Sequence, residues 1–359
     1  MVTVRNFFDL PPRLIDWSIL IVILLEGVTG IYSLTVGSPD EVFVFWLHSI
    51  GGVLLTILIG FKFYRVFPLL KYYNSIDREI YTSLIAVVLV VVALGSGILW
   101  TFGFTPWIFH WTLLTFHATI GALLLPVVFL HLISHIQYPS QKTLTDRRNA
   151  IKFVLMGIIS AILWRLQGIL NTLLSLPGKS HRFTGSKPFL EGNGNESFPI
   201  TSWVADDPEP IDTETWELTV HDLSGDTHAF SYEQVATNER LRATLDCTSG
   251  WYTTQTWSGI SVDSLLDQID SSEKVTYVRF VSVTGYRWSL PIDEARSALL
   301  ATHVGNERLS HGHGAPLRLV APQRRGFQWV KWIDRIDLRQ EPDLAQWIII
   351  FISGFDNSG

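Results

Sequence analysis

Long, nearly unbroken apolar runs occupy the first half of the chain, and short alternating runs separated by turns occupy the second. A bilayer core of roughly 30 Å needs about 20 mostly apolar residues in a helix. Five segments reach that length, at about 14–36, 42–64, 80–102, 107–136 and 150–176, and predict five membrane-spanning helices. Basic residues sit near the N-terminus (Arg5, Arg13) and in the connections after the second span (Arg65, Lys71, Arg78) and the fourth (Lys142, Arg147, Arg148). The opposite connections, around Pro39-Asp40-Glu41 and Gly103–Pro106, hold none. The positive-inside rule then sets a multi-pass protein of the cell membrane with a cytoplasmic N-terminus and an extracytoplasmic C-terminal domain.

After the fifth span, glycine, serine and proline dominate to about residue 199, a linker pattern. Strand-like runs follow at Trp216–Val220, Val275–Val281 and Leu317–Val320, with helix candidates at 232–242 and 261–269. No dinucleotide fingerprint, phosphate loop, zinc-protease helix or serine-nucleophile elbow occurs. The expected fold is therefore multi-domain, an all-α transmembrane bundle followed by an α+β domain. The divisions fall at 1–140 for four helices, 141–178 for the fifth, 179–200 for a linker, 201–340 for the α+β domain and 341–359 for an apolar tail. Within the tail, Leu344–Ile352 extends only about 14 Å as a helix, too short to span, and is expected to dock on lipid or on its own core.

Charge divides the same way. From Thr201 to Gly359 there are 23 acidic and 13 basic residues, a net of −10, whereas the rest of the chain is mildly basic. An acidic globular part on a membrane anchor argues against nucleic acid as a partner. One cysteine, Cys247, excludes an intramolecular disulfide and any all-cysteine zinc or iron–sulfur site. By itself it is either a small buried apolar residue or a ligating thiolate.

The membrane half repeats itself. Leu47-His48 with Gly51-Gly52 in span two matches Phe116-His117 with Gly121 in span four, and the glycine-bearing segment Gly27–Gly30 in span one stands against Gly95–Gly97 in span three, with Gly30 and Gly97 in register. A histidine in hydrocarbon is costly and is a functional candidate by default. Two at equivalent places on parallel helices, each with glycine one turn on, suit bis-histidine ligation of one haem b. His131 lies four turns further along span four on the same face, the place for a second haem, but its counterpart in the repeat is Lys62. Three alternatives stay open there: a His131/Lys62 pair, a lost site, or use of His135. His110 is a candidate propionate partner or alternative ligand. Glu26 and Arg165 lie at similar depth and are expected to pair, either as a structural ion pair or as part of a quinone or proton site.

Three resemblances add to this. Residues 14–136 resemble the di-haem b-type cytochromes that serve as membrane subunits of respiratory oxidoreductases, which implies quinone or quinol as the electron partner. Asp146-Arg147-Arg148-Asn149-Ala150-Ile151-Lys152 resembles a twin-arginine export signal. Three further stretches, in order, resemble the molybdopterin-binding domain of the sulfite oxidase family. They are Leu245-Asp246-Cys247-Thr248-Ser249-Gly250-Trp251 with Trp257 and Gly259; Val283-Thr284-Gly285-Tyr286 with Leu290-Pro291; and His313-Gly314-Ala315-Pro316-Leu317-Arg318 closing on Gly326–Trp332. This third resemblance implies a Mo-molybdopterin cofactor, with Cys247 as catalytic thiolate ligand to molybdenum. It implies that His313, Gly314, Arg318, Lys331 and Gly250 hold the pterin. Arg324 and Arg325 either add charge there or are solvated. Arg242 and Arg279 either face the cofactor or pair at the surface.

No arginine-rich run follows Cys247, unlike sulfite-binding members, and the compact form looks like the catalytic subunit of the periplasmic methionine sulfoxide reductase. The expected function is electron flow from quinol through haem b to the Mo centre, reducing a small-molecule or protein S-oxide or N-oxide. The rivals are a sulfite-type dehydrogenase donating electrons to quinone and a non-catalytic membrane cytochrome with a degenerate binding domain.

Overall fold

The computed structural model describes residues 10–353, except 69–77, 109–110, 136, 142–144, 190–191, 203–205 and 270–273. Lys71, His110 and Lys142 lie outside the described residues, and nothing is described of the side chains of Arg78 and His135. The chain divides into two compact units, 1–187 and 188–359.

The first unit is helical. α1 (Pro12–Ser33), α2 (Phe43–Val66), α3 (Arg78–Thr101), α4 (Leu113–His135) and α5 (Arg147–Leu173) are long and apolar enough to cross a membrane. Proline near the start of α1 leaves no helical bond unmade, because the first amides have no partner in any helix. At α5 the Asp146 side chain accepts from the Arg148 amide, as a capping residue does. α1 packs on α2 and α3 on α4, while α5 packs on α2. The helices meet over Ile15, Ile19, Val22, Leu55, Leu58, Val90, Leu124 and Met156. Their outward faces are also apolar, as at Ile21, Leu24, Val28 and Ile31 on α1, which is consistent with helices solvated by lipid rather than water.

Beyond α5 the chain turns back on its own unit. Gly178 donates to the Phe102 carbonyl, Gln167 and Asn171 donate to that of Thr101, and Trp100 donates to that of Gly185.

The second unit carries two mostly antiparallel sheets with short helical turns. One has the order β2 (Thr227–Ser231), β1 (Glu217–His221), β9 (Ile333–Arg339), β5 (Tyr277–Ser282), β6 (Arg287–Pro291), parallel only between β1 and β9. In the other, β4 (Trp251–Ser261) pairs with β3 (Glu239–Asp246) and with β7 (Leu299–Val304), and β7 also pairs with β8 (Arg318–Val320). Gly259 in β4 has no room for a Cβ, which would overlap the Leu300 carbonyl. A single core joins the sheets, with Leu218, Trp257, Phe280, Leu300, Leu319 and Ile336 fully buried.

Two elements differ from expectation. The helix expected over 232–242 spans only Tyr232–Val235, and Glu239–Asp246 is strand β3. Strong helix formers fill that stretch, but Ala243 and Leu245 alternate into the core, and burial outweighs propensity. The helix expected over 261–269 is reduced to Val262–Leu266. Within the glycine-rich stretch after the spans, Phe198 is 3% exposed in the core of the second unit.

Candidate functional site

Cys247 follows the last residue of β3. Its amide donates to the Trp251 carbonyl and its carbonyl accepts from Gly250, closing a tight turn into β4. Gly250 holds φ +97° there, a conformation in which a Cβ is strained. Ser249 Oγ lies 3.0 Å from the thiol sulfur. A Cβ on Gly326 would press on the Cys247 Cα at 3.2 Å, so glycine lets the 326–328 turn lie against the cysteine.

A buried ion pair holds this turn from behind. Arg325 Nη1 stands 3.1 Å from Asp246 Oδ1, each 3% exposed. Its Nη2 donates to the Cys247 carbonyl at 3.1 Å. Arg324, its neighbour, instead pairs with Glu294 at the surface. Two adjacent arginines thus take opposite roles, and their sequence order does not say which. Arg279 pairs with Asp337 and Asp343. Arg242 is exposed on β3.

The other expected residues converge. His311–His313 forms one turn of helix ending at Gly314, at φ +108°. A Cβ on Gly314 would meet Lys331 Cβ and Cγ at 3.0 Å. His313 is buried against Phe198, with Ser310 Oγ at 2.7 Å from Nδ1 and the Phe198 carbonyl at 3.2 Å from Nε2. Burial, with the nearby Arg318, pushes its pKa down to about 4, so it is neutral at pH 7.

Arg318 opens β8, 3% exposed, with its guanidinium over the rings of Trp257 and Trp329. It donates one bond, to the His313 carbonyl at 2.8 Å, and its Nε has no partner among the described residues. Lys331 Nζ donates to the carbonyls of Gly312 and Thr201 and to Ser202 Oγ, at 2.7–2.9 Å. Among the described residues, no carboxylate comes within ion-pairing distance of either cation. Burial lowers Arg318 to about 10 and Lys331 to about 7, while the field of Cys247 favours the charged form of both. One buried and one half-buried cation facing one thiol, with only neutral acceptors at hydrogen-bond distance among the described residues, form a cradle short of an anion.

Asp206 is a site residue that the motifs did not reveal. It is 6% exposed, its Oδ1 lacks a partner among the described residues, and burial raises its pKa. Lys331 and Tyr286 lie within its electrostatic reach. The Tyr286 hydroxyl donates to the Phe327 carbonyl at 2.5 Å.

Residues 205–347 match the oxidoreductase molybdopterin binding domain family. The protein-methionine-sulfoxide reductase catalytic subunit MsrP of Pseudomonas syringae pv. tomato is 30% identical over 159 residues, 38% of this chain and 47% of that protein. The uncharacterized oxidoreductase YuiH of Bacillus subtilis is 29% identical over 160 residues, 43% of this chain and 80% of that protein. The solved structure of the sulfane dehydrogenase SoxCD from Paracoccus pantotrophus covers 37% of this chain and 40% of that one at 20% identity, with a TM-score of 0.35. The chain thus spans about half the length of the Pseudomonas reductase subunit. Cys247 and its surrounding cations all fall inside the family match.

The helical unit holds a second polar cluster. His48 and His117 face each other with ring centres 6.0 Å apart and planes at 86°. His48 Nδ1 stands 3.1 Å from both Thr29 Oγ1 and Glu26 Oε2. His117 Nδ1 stands 2.9 Å from the Ala93 carbonyl and 3.3 Å from Ser96 Oγ. A carbonyl or carboxylate at Nδ1 makes that nitrogen the donor and leaves the Nε2 lone pair for a ligand. Glu26 therefore meets His48, while the Arg165 expected beside it is exposed on α5. Deeper in the repeat, His131 Nδ1 lies 3.2 Å from Ser83 Oγ, and the equivalent Lys62 pairs with Asp16 at 3.0 Å. Among the described residues, no group of three or more His, Cys, Asp or Glu side chains is arranged to hold a metal ion.

Proposed function

We propose that this chain is a membrane-bound molybdopterin-dependent oxidoreductase that reduces an S-oxide or N-oxide, such as methionine sulfoxide, on the extracytoplasmic side with electrons drawn from quinol through haem b. The observation that carries it is the Cys247 thiol beside Arg318 and Lys331, one buried and one half-buried cation with no carboxylate at ion-pairing distance among the described residues. A packed domain does not bury such charge without compensation, and an anionic pterin phosphate supplies it. The donor set fits the cofactor, since a thiolate is the soft ligand molybdenum takes beside the pterin sulfurs.

When bound, the molybdenum would supply two-electron oxygen-atom exchange with substrate. The chain's residues do the rest. Arg318, Lys331, His313 and Gly314 hold the anionic group. Arg325 and Asp246 fix the turn that presents the Cys247 sulfur, and Gly250 and Gly326 allow backbone to approach it. Sulfoxide reduction takes up two electrons and two protons to give a sulfide and water. Asp206 and Lys331 Nζ are the titratable groups placed to hold those protons. The sequence after Cys247, Thr248–Gln255, offers no cation for an anionic substrate such as sulfite. That, with the reductase name of the Pseudomonas relative, supports the reductive direction.

The haem reading has its own support. Two imidazoles that would hold one iron between them need facing rings with both Nε2 lone pairs free. His48 and His117 face each other with ring centres 6.0 Å apart and share the tautomer that offers Nε2. One haem is assigned, because Lys62 at the position matching His131 is committed to Asp16.

The test is an optical redox titration of isolated membranes, with metal analysis of the purified chain. Reduced haem is expected to be reoxidised by methionine sulfoxide in the wild type. Cys247→Ala should slow this about 10³-fold or more, at 1.36 kcal/mol per tenfold. Reduction of the haem by sulfite would reverse the direction, and purified protein without molybdenum would sink the proposal.

A further inference from the structure

The two halves of the helical repeat correspond residue by residue at the histidines. Thr29 and Ser96 both reach the Nδ1 of their own histidine, on α2 and α4 respectively. Gly30 and Gly97 both lie against a histidine ring, where an added Cβ would meet Cε1 at 3.4 and 3.0 Å. At the next position the halves part. Glu26 stands where the second half has Ala93, and Gly51 stands where it has Ile120. A Cβ on Gly51 would overlap Glu26 Oε1, so this glycine makes room for the carboxylate. Volume has been exchanged between the two helices of one hairpin to seat a charged side chain at a histidine. The carboxylate spends one oxygen, Oε2, on His48, while Oε1 has no partner among the described residues.

We propose that Glu26 is a positioning residue that makes the two histidines that would hold the haem unequal and lowers its midpoint potential. This rests on the haem reading above. A carboxylate accepting the Nδ1 proton makes the imidazole a stronger donor. The stronger the donor, the more it favours the ferric iron over the ferrous. His117, bonded to the neutral Ala93 carbonyl, receives neither effect.

The experiment uses the full chain in membranes, reading haem per chain and the midpoint potential at one pH. Glu26→Gln and Glu26→Ala should retain the haem while the potential rises by at least a tenfold change in the reduction equilibrium constant, about 59 mV for one electron. The reciprocal pair, Ala93→Glu with Ile120→Gly, places the same carboxylate at His117 and should lower the potential. Wild-type protein without haem refutes the haem reading itself. Haem retained with an unmoved potential in both Glu26 variants overturns the role of Glu26. If those variants lose their haem, the reciprocal pair decides, and an unchanged or raised potential there overturns the inference.

Discussion

The two polar clusters bury charge in opposite ways. Around Cys247 the charge is cationic, and the protein supplies Arg318 and Lys331 with neutral acceptors only. Around His48 the ionisable group is the Glu26 carboxyl, and the protein supplies its partner from an imidazole of the same unit. The contrast follows from surroundings. A site that takes an anionic cofactor has to keep its cations uncommitted until the cofactor arrives, at some cost to the empty fold. In a helical bundle that is apolar on its inner and outer faces, an uncommitted polar group is costly, and Glu26 has a partner within the unit.

The comparison breaks first at Arg318. Arg318→Met should weaken cofactor retention by about 2–5 kcal/mol, roughly 30-fold or more, since it removes one member of a buried charge pair. The same substitution should leave the cofactor-free protein at least as stable, because a buried cation without a counter-charge is lost. Molybdenum content and thermal melting of both forms check this, and a cofactor-free protein that melts well below wild type would show that Arg318 is structural.

A sharper and smaller effect is expected in pH. Burial holds Lys331 near 7 in the folded chain, against an ordinary value of 10.5. Below pH 7 the ammonium is charged and available to an anion. Above it, binding must take up a proton, so affinity for the cofactor should fall about tenfold per pH unit between pH 7 and 10. The sign for the empty fold is the reverse. The unfolded chain holds that proton up to about 10.5, so this group's unfavourable contribution fades as pH rises through 7. Cofactor release followed against pH, in wild type and Lys331→Met, checks both statements, and a profile unchanged in the variant would exclude Lys331.

The smallest effect separates the halves of the repeat. Gly97→Ala pushes a methyl onto the His117 ring at 3.0 Å, whereas Gly30→Ala meets His48 at 3.4 Å. Overpacking of about 1–3 kcal/mol is expected for the first and less for the second. On the haem reading proposed above, haem content should fall further in Gly97→Ala, and equal losses would mean that the two histidines are equally constrained.

Much of this was legible in the chain itself. Apolar run length predicts five helices, all of which are present, and internal repetition singles out His48 and His117. The ordered stretches around Cys247, Arg318 and Lys331 predict their convergence. The rest needed three dimensions. Depth along a helix gives height but not direction, so Glu26 and Arg165 looked like partners. The i, i+3, i+4 spacing of Glu26, Thr29 and Gly30 is what directs the carboxylate to His48. Arg325 and Asp246 are 79 residues apart and meet only because the 326–328 turn lies against the end of β3. No local pattern announces such a pair, and nothing in the sequence separates Arg325 from Arg324, which pairs with Glu294 at the surface.

The exchange of volume between Glu26 and Gly51 also limits how such a site can arise. With a side chain as large as Ile120 at the facing position, a glutamate would enter an occupied space and the bundle would be forced apart. With glycine there first, the intermediate carries a small hole, a tolerable defect costing a few kcal/mol at most. The passable route is therefore loss before gain, a cavity opened on one helix and a charge installed later from the other. Any attempt to transplant the carboxylate to the second half of the bundle has to make its substitutions in that order.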